Sequence, residues 1–199
     1  MKRSFSLIFC IVSLLTYAQD SQDLFAEMES IGAIKQRLLP DRMLFTQRAL
    51  WGKNGLMRSF NRFELTLEKR EKELKLRRKF LVGHQILGYA TLAGMIAQGV
   101  MGSQLYKGKY ELYRKHKNLG NIVSATYFTT AGLSLFAPPP LVSEKKGLSS
   151  TRAHKWLATV HFSAMIATNL LAEERKDWHR AAAYTAFASY ATAMIVLTF

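Results

Sequence analysis

After Phe80 the apolar residues fall in four long stretches, separated by short polar and basic connections. The first runs from about Phe80 to Leu105 and the second from about Leu119 to Ala137. The third covers about Ala153 to Leu171 and the fourth about Trp178 to Phe199. A helix needs ~20 apolar residues to cross the ~30 Å hydrocarbon core of a bilayer, and each stretch is near that length. None shows the alternation of a barrel strand. Pro138-Pro139-Pro140 is a hard stop after the second stretch. Short connections make consecutive helices antiparallel neighbours. The pattern predicts an all-α chain whose residues 80–199 form an integral membrane antiparallel four-helix bundle.

Two different segments precede the bundle. Residues 1–19 read as a secretory signal peptide: Lys2 and Arg3 are the charged start, Ser6 to Leu15 the apolar middle, and Thr16-Tyr17-Ala18 the small-residue cleavage pattern. That run is short for a span, so an uncleaved anchor is the lesser reading. Residues 20–79 are polar and basic. Within them, Leu56 to Lys79 reads as an amphipathic basic helix, with Phe60, Phe63, Leu67 and Leu74 at near-helical spacing. Lys69 to Lys79 mixes strong helix formers with opposite charges. A solvated helical lead-in to the first span is the favoured reading, and an interfacial or partner-docking helix is the alternative.

Composition sharpens the membrane reading. Hydrophobic residues make up 49% of the 199 residues, so the mean hydropathy of −0.03 averages a polar first part with an apolar second part. The net charge of +14 sits largely on residues that flank the apolar stretches. That placement suits a lipid bilayer with anionic head groups and not nucleic acid, for which no motif is present. The single cysteine, Cys10, lies in the signal. A mature chain without it has no disulfide, thiolate metal site or covalent haem attachment. A cleaved signal makes the chain a multi-pass protein of the inner (cytoplasmic) membrane, with residues 20–79 on the non-cytoplasmic side. The basic run Lys69 to Lys79 argues for the opposite orientation.

The chemistry is carried by histidine. His84, His116, His154 and His179 each begin one apolar stretch, and each is followed four residues later by a small residue: Gly88, Gly120, Ala158 and Ala183. Residues i and i+4 share a helix face, so the small residue leaves a slot beside the imidazole for a flat macrocycle. Up-down topology pairs His84 with His154 at one membrane face and His116 with His179 at the other. Two imidazoles facing across a bundle core make an axial haem site. Lys117, Lys155 and Arg180 each directly follow one of these histidines and could meet haem propionates. Ordinary cationic flanks of spans are the competing reading. His161, seven residues beyond His154, is expected as a hydrogen-bond partner or a packed core histidine, with a substitute ligand as the lesser reading. Gln98, Asn121 and Asn169 are expected to bond between helices.

These pieces resemble the cytochrome b561 family: His84-x-x-x-Gly88, Arg114-Lys-His116-Lys-Asn-Leu-Gly120, Ala153-His154-Lys-Trp-Leu and Trp178-His179-Arg180. The likeness covers residues 80–199. It implies a four-helix core with two non-covalent b haems, ligated by first-with-third and second-with-fourth histidines, and electron transfer across a membrane. The flanking helices of many family members are missing here. Donor and acceptor stay open, with a quinol or a redox partner protein as candidates. The rival readings are a haem-free membrane scaffold and a membrane-anchor subunit of a larger oxidoreductase. No catalytic triad, metalloprotease helix or phosphate loop supports a self-contained enzyme.

Overall fold

The computed structural model describes residues 38–141 and 149–198. The expected signal segment lies outside the described residues. Among those residues there are five α-helices, three short 3-10 turns and no strand, so the chain is all-helical. The helices are α1 (Phe45–Trp51), α2 (Leu67–Tyr106), α3 (Tyr113–Leu135), α4 (Ser150–Leu170) and α5 (Lys176–Thr198).

The amphipathic helix does not begin at Leu56. Leu56–Ser59 and Asn61–Phe63 are 3-10 turns, and α2 starts only at Leu67. Thr66 fixes that start, because its side-chain oxygen accepts from the Lys69 amide at 3.3 Å. From there α2 runs for 40 residues, through the basic run and the first apolar stretch without a break. Glu68–Lys72 and Glu71–Lys75 support its exposed face as i,i+4 ion pairs.

The lead-in is solvated on the face that carries Glu68, Glu71, Lys72 and Lys75, and buried on the opposite one. Arg70 and Glu73 are fully buried. Glu73 accepts from both Arg58 and Arg70, the latter at 2.7 Å. Arg70 also donates to the carbonyls of Leu38, Pro139 and Pro140, and Arg77 to that of Pro138. Proline carbonyls have no competing amide of their own, so this rigid triplet offers acceptors to guanidinium groups. Trp51 Nε1 donates to Phe136 at 2.9 Å, and Thr46 Oγ1 to Leu135 at 2.6 Å. Residues 38–66 thus form a cap tied to the start of α2 and the end of α3. Burial pushes the Arg70 guanidinium below its ordinary value, while the neighbouring Glu73 carboxylate opposes that shift.

Helices α2 to α5 pack with antiparallel neighbours. His84 on α2 meets Thr130 near the end of α3, whereas Gln98 meets His116 near its start. Likewise His154 meets Ala193, and His179 meets Thr168, between α4 and α5. The backbones approach more closely within the α2–α3 and α4–α5 hairpins than between them, where side chains fill the gap. Met95, Val123, Tyr127, Ala164, Met165, Ala186 and Tyr190 form the central core. By length and apolar composition, α2 is the one described helix that qualifies as a membrane span. The other three long helices dilute their apolar residues with Thr, Ser, Asn and His.

Candidate functional site

The four histidines that begin the apolar stretches come together as two pairs. The rings of His84 and His154 have centroids 6.3 Å apart and planes at 85°. Those of His116 and His179 are also 6.3 Å apart, with planes at 82°. The pairing is the one that up-down topology requires. The first pair lies at the end of the bundle that carries the cap, and the second at the end with the Lys107–Leu112 connection.

Hydrogen bonds fix the ring chemistry. Nδ1 of His84 contacts the Thr130 carbonyl at 2.8 Å, that of His154 the Ala193 carbonyl at 2.9 Å, and that of His179 the Thr168 carbonyl at 2.8 Å. A carbonyl only accepts, so each Nδ1 must carry the proton and Nε2 is left as the basic nitrogen. This is the tautomer of an Nε2 metal ligand oriented by a backbone acceptor. Two imidazole nitrogens bound trans to one ion at about 2.0–2.1 Å, with each ring centre roughly 1.1 Å further out, place the centroids roughly 6.3 Å apart. Both pairs fit that spacing. No group of three or more His, Cys, Asp or Glu that could hold a metal occurs among the described residues. A planar cofactor that supplies its own equatorial ligands needs only the two axial ones.

A spacing in the sequence underlies these contacts and escapes a search for i,i+4 slots. Fourteen residues separate His116 from Thr130, His154 from Thr168, and His179 from Ala193. Fourteen residues are close to four helical turns, so each histidine and the later position share a face, about 21 Å apart at 1.5 Å per residue. In an antiparallel hairpin, the fourteenth residue on one helix then stands opposite the histidine of the other. The acceptors Thr130, Thr168 and Ala193 were legible only through this interval.

The remaining expected residues are placed as follows. Gly88 lies under Tyr190, whose hydroxyl donates to the Gly88 carbonyl at 3.1 Å. A Cβ at Gly120 would stand 3.1 Å from Gln98 Nε2. Neither glycine therefore faces an open slot; each admits a polar side chain from another helix. The glycine that makes room for an imidazole is Gly102, where a Cβ would stand 3.1 Å from His116 Cε1. Lys117 bridges to Glu173 at 2.5 Å, Arg180 stacks 3.9 Å above the Tyr106 ring, and Lys155 is exposed beside His154. His161 is a buried core histidine, with its Nδ1 2.6 Å from the Tyr127 hydroxyl and its ring 5.0 Å from that of Tyr190. Asn169 bonds between helices, its Oδ1 accepting from Ser124 Oγ at 2.8 Å. No family model, curated protein or solved structure matches the chain.

Proposed function

We propose that the protein carries electrons across a membrane through two b haems, one between His84 and His154 and one between His116 and His179, in the manner of the cytochrome b561 family. The observation that carries this reading is the pair of dihistidine sites. They stand at opposite ends of one bundle with the same centroid spacing. In three of the four rings Nδ1 is held by a carbonyl, which turns the other nitrogen into the donor. The two histidine pairs would hold the haems, which would supply reversible one-electron chemistry.

The membrane placement rests on the outside of the bundle. Ile86, Ile96, Val100, Ile122, Val160, Ile166, Leu170, Ile195 and Leu197 are exposed along α2 to α5. An apolar belt on this scale belongs against lipid or a partner. Tyr106, Tyr110, Tyr113, Trp156 and Trp178 are exposed near helix ends, where aromatic girdles meet head groups. On this reading all four helices cross the bilayer. The two sites lie at levels about 21 Å apart, within a ~30 Å core. If residues 1–19 direct export, the cap and the His84–His154 site face the non-cytoplasmic side. Lys155 at that site, and Lys117 and Arg180 at the other, supply cations for propionates. Lys117 would exchange its Glu173 contact to do so. Electrons enter from and leave to a quinol or a redox partner protein.

The test is a visible absorption spectrum with a haem assay. The purified protein is expected to show a reducible b-type α-band and two haems per chain. His154→Ala removes one haem and His179→Ala the other. A protein without the band is a haem-free scaffold, and the proposal fails.

A further inference from the structure

One of the four candidate ligands breaks the pattern. His116 Nδ1 is buried and has no hydrogen-bond partner. The interval of fourteen residues that gives the other three histidines a carbonyl points, for His116, to the residue fourteen after His84. That residue is Gln98. Its Nε2 donates to the backbone carbonyl of His116 itself at 2.7 Å. Its Oε1 is also buried without a partner. A buried donor and a buried acceptor thus stand unpaired on two residues already joined by a hydrogen bond, and leaving both unmade is costly. The space is shaped around them. A Cβ at Gly102 would come within 3.1 Å of His116 Cε1 and 3.7 Å of Nδ1, and one at Gly120 within 3.1 Å of Gln98 Nε2.

We infer that Gln98 is the outer partner of His116, its side-chain amide oxygen accepting the Nδ1 proton directly or through one water. This rests on the dihaem reading and goes beyond it. The His84–His154 site is held by two backbone carbonyls, which no substitution removes. The His116–His179 site is held by one carbonyl and one replaceable side chain. Acceptors on a ligand imidazole raise its basicity and favour the oxidised iron, so they lower the reduction potential. Gln98 is therefore a positioning residue that sets the potential of one haem independently of the other.

The experiment is a redox titration of the full chain in lipid nanodiscs, followed by visible and electron paramagnetic resonance spectra. It uses wild type, Gln98→Leu and Gln98→Glu. His154→Ala serves as the background that retains only the His116–His179 haem. Gln98→Leu removes the acceptor and is expected to raise the potential of that haem alone. Gln98→Glu strengthens the acceptor and is expected to lower it. Each shift is expected to be on the order of tenfold in the reduced-to-oxidised ratio at fixed ambient potential, about 59 mV for one electron. The other haem keeps its wild-type potential. Two haems with unmoved potentials, equal shifts in both, or shifts of the same sign in the two variants overturn the role of Gln98 and leave the dihaem reading standing. A wild-type protein without haem overturns both.

Discussion

Replacing Glu73 tests whether residues 38–66 are a fixed cap or a loose leader. Its carboxylate is fully buried and accepts from two guanidinium groups, of which Arg70 is 1% exposed. Glu73→Leu keeps much of the volume but strands Arg70 and Arg58 as buried cations. Removing one partner of a buried ion pair costs about 3–5 kcal/mol, mostly from the charge left behind. At roughly 1.4 kcal/mol per tenfold, cap opening is then favoured by about two to three and a half decades. Arg70 still has the carbonyls of Leu38, Pro139 and Pro140, so the lower end is expected. Hydrogen exchange of the amides bonded at Arg48, Gly52 and Gly55 reads the opening directly. Their protection is expected to fall about 100-fold, while that of α4 and α5 is unchanged. A variant with protection within a factor of three of wild type would refute the argument that Glu73 neutralises the cap. A Glu73→Leu, Arg70→Leu double variant is expected to recover part of the loss, because one of the two stranded charges is gone.

Two further substitutions probe the bundle. A Cβ at Gly94 would stand 2.6 Å from Val123 Cγ2. Gly94→Ala is therefore expected to destabilise the α2–α3 contact by about 1–3 kcal/mol in thermal unfolding, and Val123→Ala in the same chain is expected to relieve the clash. Tyr127→Phe takes the hydroxyl from the buried His161 Nδ1. It is expected to cost about 1–3 kcal/mol in thermal unfolding and, on the dihaem reading, to leave both haems bound.

The sequence made some of this readable for physical reasons. Helical period and short connections determine which histidines can meet. His84 with His154 and His116 with His179 follow from residues of one chain without any coordinates. The cap was not readable. Arg70 and Glu73 sit in a run of alternating charge that looks like a solvated face, and their burial depends on carbonyls of a proline triplet some 70 positions away. Backbone acceptors carry no side-chain signature, so Thr130, Thr168 and Ala193 were invisible to a search by residue type. Gly88 and Gly120 were read as slots because a small residue one turn from an imidazole looks like vacant space. Tyr190 and Gln98 come from other helices to fill it.

The division into two hairpins has a consequence for assembly. Each hairpin contributes one imidazole to each pair, so neither half owns a complete site. The halves meet through the shared core, where Tyr127 packs on His161, Phe162 and Tyr190, and through bridges such as Tyr190 to Gly88 and Lys117 to Glu173. On the dihaem reading, the cofactors add two further crossings to a seam that the shared core already closes. Haem would then tighten halves that are already joined, and co-expressed half-chains would be expected to associate more strongly when haem is abundant.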